Sequence, residues 1–365
     1  MSTPQPFAKS TPAYPPGKPL DHRSVAWAAL EAVARRHHLS SVIDHLGALP
    51  SSIWAELSDT ERELKRLETG ASGPAAQAVD HLLSTGGKRV RPLVCLLAAR
   101  AIPAARLRTD LPRLARIAEM VHSASLLHDD VIDLGRLRRG RPAARMVYGN
   151  AASVLGGDLL LVRAFDLTRE TGIPGLTDAL LKAVGRMVTS EALQLERRGR
   201  LDVTEDDYFD IVSGKTAALF EWTAEAGARA ACAAETEVDA LGIFGHEVGM
   251  AFQLVDDVMD LSRDPKGIGK SAMQDLSSGT LTYPVIHAAR LRPERIALLG
   301  KANQDTETVG RLIIETVEAT GGLVAARREI DRRTSAAMNA LASLPATPAR
   351  TVMKALASQL ADRTR

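Results

Sequence analysis

The stretch Leu126-Leu127-His128-Asp129-Asp130-Val131-Ile132-Asp133 places three carboxylates within five residues, directly after an apolar run. Residues four apart share one face of a helix, so Asp129 and Asp133 stack about one turn apart. Carboxylates at that spacing repel each other unless a cation lies between them, and a hard divalent cation with oxygen ligands suits the position. For a single cluster, the alternative is a helix cap or a solvated acidic turn.

A second acidic cluster has the same spacing. The stretch Phe252-Gln253-Leu254-Val255-Asp256-Asp257-Val258-Met259-Asp260 repeats the pattern D-D-x-x-D at the end of another apolar run. Two helices that each present stacked aspartates can face each other across a cavity that holds divalent metal ions and a polyanion. Magnesium suits such a cavity, because it binds few protein carboxylates and completes its octahedron with water and phosphate oxygens.

The composition of the 365 residues favours helices. Hydrophobic residues make up 45% and aromatic residues only 4%, and runs of β-branched or aromatic residues, which are typical of strands, are scarce. No linker separates two cores after residue 75, so we predict one large all-α domain, a helical bundle. The formal net charge of +2 is too close to neutral to indicate nucleic-acid binding.

The chain divides into three predicted segments. Residues 1–22 form a proline-rich tail that we expect to be disordered, because residues 1–20 contain six prolines and no acidic residue. Residues 23–72 form a helical extension, with amphipathic helices over 24–36 and 51–69. Residues 73–365 form the main domain.

The cysteines and the apolar runs predict a cytoplasmic protein. Cys95 and Cys232 have neither metal-ligand nor disulfide spacing, and we expect both to be buried thiols in a reducing compartment. No apolar run is long enough to span a membrane, and no secretory leader is present.

A set of cations accompanies the acidic clusters. Gly86-Gly87 precedes Lys88, Arg89 and Arg91 at the mouth of an apolar helix, a pattern that suits an anion site, although a basic solvated turn is the alternative. His122 lies seven residues before Asp129, on nearly the same helix face. These cations are more than one diphosphate needs, and their number therefore indicates two phosphate-bearing substrates. The set comprises Lys88, Arg91, Arg138, Arg139, Lys215 and Lys270.

Two common nucleotide motifs are absent from the sequence. No G-x-x-x-x-G-K-[ST] motif occurs, which argues against a kinase-like phosphate site. No G-x-G-x-x-G follows a strand, which argues against nicotinamide chemistry. Gly214 precedes Lys215 and Thr216 in mid-helix, where glycine costs about 1 kcal/mol relative to alanine, so we predict a kink or a close backbone approach there.

An ordered series of motifs resembles the trans-isoprenyl diphosphate synthases, or polyprenyl synthetases, and most closely their long-chain members. The resemblance covers roughly residues 75–365. One D-D-x-x-D is weak support, whereas the ordered set is strong. The matching residues are Gly86–Pro92, His122–Asp133, Arg138–Gly140, Gly214–Ala217, Gly249, Ala251–Asp260 and Gly269-Lys270.

The resemblance implies a single isoprenoid-synthase-type helical domain, usually dimeric, with both substrates in a central cavity. It implies three Mg²⁺ ions that clamp an allylic diphosphate between the acidic motifs. Asp129, Asp133 and Asp256 would bind metal, and Asp130, Asp257 and Asp260 would bind metal-held water or support the ligands. Arg138, Lys215 and Lys270 would hold the allylic diphosphate. Isopentenyl diphosphate would be held by Lys88, Arg91, His122 and Arg139.

The implied reaction is a head-to-tail prenyl transfer. The allylic C–O bond ionises, the alkene of isopentenyl diphosphate attacks the cation, and a proton leaves, with the departing diphosphate as the base. Gln253, the hydroxyl of Thr216 and the backbone near Lys215 would stabilise the cation. The sequence departs from the family at Leu134, Arg136 and Thr280. The family often has a lysine where Thr280 stands, and Lys266 is the alternative contact.

Product length depends in this family on the residues four and five positions before the first aspartate. Ala124 and Ser125 are small. In the family, an aromatic residue at these positions blocks the end of the cavity and limits the product to fifteen carbons. We therefore expect farnesyl diphosphate to be extended to an all-trans product of about C25 to C50, with cavity shape as the determinant. A floor from a neighbouring helix, for instance from Phe165, remains open.

Alternative functions are a geranylgeranyl or geranylfarnesyl diphosphate synthase and a non-catalytic regulatory subunit of a heteromeric synthase. A regulatory subunit usually loses acidic residues from one motif, and both motifs are complete here. A terpene cyclase shares the all-α fold but usually has a different second motif. We expect a homodimer without a transmembrane segment, which associates transiently with membranes to release a long lipid product.

Overall fold

The computed structural model describes residues 49, 51–103, 107–262, 279–296 and 306–364. The predicted tail over 1–22 and the predicted helix over 24–36 lie outside these residues. Lys266 and Lys270, two of the cations discussed above, also lie outside them.

The described chain is almost entirely helical, which confirms the all-α prediction. Its first half contains seven α-helices, and the only extended residues described there form a hairpin of two-residue strands. The elements are α1 (Ser51–Lys65), α2 (Pro74–Ser84), α3 (Val90–Ala101), α4 (Leu111–Ile132), β1 (Leu137–Arg138), β2 (Arg141–Pro142), α5 (Ala144–Tyr148), α6 (Asn150–Glu170) and α7 (Leu176–Arg197).

The second half begins with a helix that is interrupted by a π-helical segment. The predicted helix over 204–228 is therefore three consecutive elements. The elements are α8 (Glu205–Val212), the π segment (Ser213–Ala217), α9 (Ala218–Ala230), α10 (Glu235–Ser262), α11 (Tyr283–Leu291), α12 (Pro293–Ile296), α13 (Thr306–Thr320), α14 (Gly322–Ala340), a 3₁₀ turn (Leu341–Ser343) and α15 (Pro348–Asp362).

The β1–β2 hairpin was not expected from the sequence. Leu137 pairs with Pro142 and Arg138 with Arg141 in antiparallel register. The hairpin turns at Arg139 and Gly140, which both have positive φ, at 52° and 77°. This turn brings the basic segment after the first acidic motif back toward the end of α4.

Two helices that carry the acidic motifs form the centre of the bundle. The first, α4, packs along α6 and α3, and the second, α10, packs along α9 and α14. Buried apolar side chains from α1 to α15 join one hydrophobic cluster around these helices. The two motifs therefore lie on rigid, well-packed elements.

The prediction for the cysteines is half wrong. Cys95 is buried on α3, and burial raises the pKa of its thiol above its usual range. Cys232 is exposed, because it follows the end of α9 in a turn with φ at 55°. Among the helices that the structure describes, none combines the length and the apolar character that a membrane crossing requires.

Candidate active site

The described residues enclose a cavity of about 870 Å³, with α3, α4, α6, α7, the π segment, α9 and α10 contributing to its wall. Most of the predicted site residues meet there, although they come from elements far apart in the sequence. Those that line the cavity are Lys88, Arg91, His122, Ser125, Asp129, Arg138, Arg139, Lys215, Thr216, Gln253 and Asp256.

Five predicted residues within the described chain are not part of this wall. Ala124 is fully buried in the core, and Asp130 is buried beneath the cavity surface. Asp133 and Asp257 line an adjoining cavity of about 220 Å³, which shares Lys215, Thr216 and Gln253 with the first. Asp260 lies one turn after Asp256 on α10.

The three carboxylates of the first motif have three different environments. Asp129 lines the cavity, and its burial raises its pKa to about 6, although Lys215 opposes this effect. Asp130 accepts hydrogen bonds from Nε and Nη2 of Arg138 at 3.0 and 2.6 Å. Asp133 accepts a hydrogen bond from Arg198, which also donates to the carbonyl oxygen of Ile132.

A chain of hydrogen bonds joins the second motif to the π segment. The hydroxyl of Thr216 donates to Oε1 of Gln253 at 3.2 Å, and Nε2 of Gln253 donates to Oδ1 of Asp257 at 3.0 Å. The other oxygen of Asp257 accepts from the hydroxyl of Tyr208 at 2.7 Å and from the backbone N–H of Tyr283 at 3.3 Å. Asp257 is therefore fixed in place, while its neighbour Asp256 lines the cavity.

The π segment depends on two glycines. A Cβ at Gly214 would lie 2.6 Å from the carbonyl oxygen of Arg186, and a Cβ at Gly249 would lie 2.6 Å from Cα of Ala217. These contacts confirm the predicted close backbone approach at Gly214. The extra residue of a π turn is common at functional sites, and here it presents Lys215 and Thr216 to the cavity.

Lys215 is held between carboxylates. Its Nζ lies 2.5 Å from Oε2 of Glu191 and donates to Oε1 of Gln194 at 3.0 Å. Burial by itself lowers the pKa of Lys215, but Asp129 and Glu191 outweigh it and raise the pKa. The ammonium group therefore stays charged beside the first acidic motif.

Another part of the cavity wall is basic. The guanidinium of Arg91 lies over the ring of Phe220, 4.4 Å from the centroid, and its buried Nε has no hydrogen-bond partner in the described structure. Burial lowers the pKa of Arg91 to about 10, so the group remains charged near neutral pH. Burial, together with Arg91, Arg139 and other arginines, holds the pKa of His122 well below its usual value.

Part of the cavity wall is apolar. Ser125 lines the cavity, and the hydroxyl of Ser125 donates to the carbonyl oxygen of His122 at 2.9 Å. Leu161, Val184 and Met187 also line it from α6 and α7, whereas Phe165 is not among the lining residues. The apolar wall therefore includes neighbouring helices as well as α4.

The departures from the family pattern lie at different distances from the cavity. Leu134 and Arg136 are exposed and do not line it. Thr280 lines the smaller adjoining cavity, next to Asp257. Of these three residues, only Thr280 lines a cavity, whereas Leu134 directly follows Asp133 with φ at 52°.

The acidic donor set fits a divalent cation. Asp129 and Asp256 line one cavity from α4 and α10, and carboxylate oxygens are the donors that Mg²⁺ prefers. Within the described residues, no three acidic, histidine or cysteine side chains lie close enough to hold a metal by themselves. Magnesium commonly takes one or two carboxylates and completes its shell with water and substrate phosphate, so two walls that each offer carboxylates suit it.

Several residues at the site were not predicted from the sequence. Glu119 lies three residues before His122, so helix periodicity was a usable signal for it. Tyr208, Glu191 and Arg198 carried no such signal, because their partners lie 49, 24 and 65 residues away along the chain.

An all-helical bundle whose cavity sets a basic wall against two aspartate motifs defines the isoprenoid-synthase class of prenyltransferases. The model of the polyprenyl synthetase family matches residues 74–317. The chain therefore belongs to this family, the trans-isoprenyl diphosphate synthases, and most resembles its long-chain members.

Three relatives illustrate the similarity. Component 2 of the heptaprenyl diphosphate synthase of Geobacillus stearothermophilus is 35% identical over 323 residues, which cover 87% of this chain and 99% of the relative. The octaprenyl diphosphate synthase of Escherichia coli is 36% identical over 78% of this chain and 88% of its own. A crystal structure of a polyprenyl synthase from Caulobacter crescentus, complexed with calcium and isoprenyl diphosphate, has a TM-score of 0.76 at 34% identity, and covers 85% of this chain and 95% of its own.

Proposed function

We propose that this prenyltransferase condenses isopentenyl diphosphate with farnesyl diphosphate and releases diphosphate. Its product is an all-trans polyprenyl diphosphate of about C25 to C50, with cavity shape as the determinant. The observation that carries the proposal is one cavity that combines a basic wall, two acidic motifs and an apolar end. Relatives named as heptaprenyl and octaprenyl diphosphate synthases support a long product.

The metal is Mg²⁺, with three ions at each site. Asp129, Asp133 and Asp256 would hold it, and Asp130 and Asp257, whose side chains are buried and hydrogen-bonded to Arg138 and Tyr208, would support the ligands. Asp260, one turn beyond Asp256, belongs to the supporting set. When bound, the metal stabilises the negative charge that develops on the departing diphosphate.

The two diphosphates bind to different cations. Lys215, charged and beside Asp129, holds the allylic diphosphate together with Arg138. Lys270 lies outside the described residues and is assigned to the same group. The diphosphate of isopentenyl diphosphate binds to the basic wall, which contains Lys88, Arg91, His122 and Arg139.

The reaction forms one C–C bond and breaks one C–O bond. The allylic C–O bond breaks, and its electron pair leaves with the diphosphate. The alkene of isopentenyl diphosphate then bonds to the allylic carbon, and the departing diphosphate accepts the proton that is lost. The hydroxyl of Thr216 donates to Gln253, which leaves oxygen lone pairs at this wall to stabilise the cation.

The test is to size the products made from farnesyl and isopentenyl diphosphates, with and without Mg²⁺. A ladder that ends between about C25 and C50, and that needs Mg²⁺, supports the proposal. A pool that ends at C20 would contradict the long product and favour a geranylgeranyl diphosphate synthase. No turnover by the purified chain would favour a regulatory subunit.

We further propose that the protein is a homodimer through α6 and α7. Leu155 and Val162 on α6, seven residues apart, are 56% and 60% exposed. Leu181, Val188 and Leu195 on α7 follow the same spacing and are 50%, 62% and 52% exposed, and Val188 and Leu195 also line the active-site cavity. Exposed apolar side chains at this spacing form a stripe on each helix, and contiguous patches of this kind mark interaction surfaces.

Light scattering of the purified protein tests the dimer. Leu181→Asp is expected to give monomers, whereas Val324→Asp, at an exposed valine on α14, is expected to leave the mass unchanged. A wild-type monomer would contradict the homodimer. It would favour a second, different subunit, since one relative is named as a component of its synthase.

A further inference from the structure

The helix α1 lies before the residues that match the family model, yet it packs into the body of the protein. Residues 51–65 precede the matched segment, which begins at residue 74. Ile53, Trp54 and Leu64 on α1 are at most 1% exposed and belong to the hydrophobic cluster. The orientation of α1 on the domain is therefore fixed by buried apolar contacts.

Glu61 on α1 reaches the loop of the basic wall. Nε of Arg89 donates to Oε2 of Glu61 at 2.5 Å, and Nη1 of Arg89 donates to the carboxylate of Glu119 on α4. The side chain of Arg89 is 10% exposed and that of Glu119 is 3% exposed. One arginine is thus held by two carboxylates from two different helices.

The backbone of Arg89 adopts an unfavourable conformation. It directly precedes α3 and lies between Lys88 and Arg91 in the sequence. Its φ is 51°, a left-handed conformation that residues other than glycine rarely adopt. Such a conformation persists only where its surroundings over-determine it. The two carboxylates supply that constraint, because they fix the guanidinium end of the same residue.

The carboxylates also offset the positive charge of the arginines that pack around this loop. The guanidinium groups of Arg89 and Arg139 both lie against Gly87, since a Cβ there would be 2.7 and 3.1 Å from their nitrogens. Glu119 attracts Arg89, Arg91 and Arg139 alike. Like charges packed this closely repel each other unless an opposite charge lies among them.

We propose that Glu61 is a positioning residue of the isopentenyl diphosphate site, through which α1 and Glu119 fix Arg89 and thereby the loop that carries Lys88 and Arg91. The proposal rests on the proposed function, since it takes the basic wall as the isopentenyl diphosphate site. Glu61 does not line the cavity. Its hydrogen bond to the basic loop is to Arg89, and its charge also attracts Arg139.

The test compares two glutamates of α1. Glu61→Gln removes the negative charge that pairs with Arg89. Glu63→Gln is the matched control, because Glu63 pairs with Arg116 on α4 at 3.4 Å, two residues along the same helix, without contacting Arg89. The KM for each substrate, kcat and the affinity of the metal-free protein for isopentenyl diphosphate by calorimetry are measured for both variants.

Glu61→Gln is expected to raise the KM and Kd for isopentenyl diphosphate about tenfold, because a charge-assisted hydrogen bond that orients the loop is weakened. The KM for the allylic diphosphate is expected to stay within about twofold, and Glu61→Asp is expected to restore part of the affinity. Glu63→Gln is expected to match the wild type in every parameter.

Two results would overturn the inference. One is an unchanged isopentenyl diphosphate affinity in Glu61→Gln, and the other is an equal loss in Glu63→Gln, which would indicate a general effect of α1 on the fold. If the wild type itself neither binds nor consumes isopentenyl diphosphate, the proposed function fails as well. If the wild type binds and consumes isopentenyl diphosphate and Glu61→Gln behaves in the same way, only the inference about Glu61 fails, and the proposed function stands.

Discussion

The hydroxyl of Tyr208 donates a 2.7 Å hydrogen bond to Oδ2 of Asp257, and both residues are buried. Tyr208 lies on α8, just before the π segment, and Asp257 lies in the second acidic motif on α10. The bond therefore ties the segment that carries Lys215 and Thr216 to the helix that carries Asp256.

Tyr208→Phe is expected to lower both stability and turnover. It removes a hydrogen bond to a buried carboxylate, which costs about 1.5–3 kcal/mol, and leaves Asp257 less firmly fixed beside Asp256. Thermal unfolding and steady-state kinetics measure the two effects. Tyr283→Phe is the control, because Tyr283 contacts Asp257 through its backbone N–H; an equal loss in that variant would contradict the role of the Tyr208 hydroxyl.

Asp129→Ala and Asp256→Ala are each expected to lower turnover by about two orders of magnitude or more, because each removes a carboxylate assigned to the metal. Both side chains line the cavity and not the core, so the fold and melting temperature should change little. Asp166→Ala, at a half-exposed aspartate paired with Arg169 on α6, is the control. Near-normal turnover in either cavity variant would refute the metal assignment.

Ser125→Phe is expected to shorten the product to about C20, because its ring would enter the cavity one turn before Asp129 and reduce the space for the growing chain. Product sizing by chromatography measures the effect. Ser125→Ala keeps the volume small and should leave the product distribution unchanged. Identical ladders from Ser125→Phe and the wild type would indicate that the limit lies elsewhere, for instance at Leu161 or Met187.

Ala124→Phe should behave differently from Ser125→Phe. Ala124 is fully buried among core residues and does not line the cavity, so a ring there overpacks the core at a cost of roughly 1–3 kcal/mol. The main effect expected of Ala124→Phe is therefore a lower melting temperature, and the product length should change little. A stable Ala124→Phe variant with a shortened product would instead place this position within reach of the chain.

Glu225 makes stability depend on pH. Burial raises its pKa to about 7 from 4.5, with Glu221 and Asp239 acting in the same direction and Arg229 and Arg186 opposing it. Between pH 4.5 and 7 the folded protein therefore binds more protons at Glu225 than the unfolded chain does. The free energy of unfolding falls as pH rises through this window.

Glu225→Gln removes this titration, so the variant should be more stable than the wild type at pH 8 and the difference should shrink at pH 5. Melting temperatures at the two pH values measure it. Glu318→Gln, at an exposed position on α13, is the control and should show no such dependence. A pH-independent effect of Glu225→Gln would rule out the titration as the cause.

The sequence by itself determined the helices and the residue types that meet in the cavity. Helix periodicity and the two D-D-x-x-D motifs predicted an all-α protein with paired acidic helices, and Asp129 and Asp256 do line one cavity. Gly214 in mid-helix predicted the close approach that the π segment makes. These features could be predicted because helix spacing and backbone propensity are local properties.

Only the tertiary structure decided which face of each helix meets the cavity. Sequence spacing treats Ala124 and Ser125 alike, yet Ser125 lines the cavity and Ala124 lies in the core. The Tyr208–Asp257 and Glu61–Arg89 contacts join residues 49 and 28 positions apart. Spacing along one helix fixes which residues share a face, but the direction of that face depends on how the other helices pack against it, which no local pattern contains.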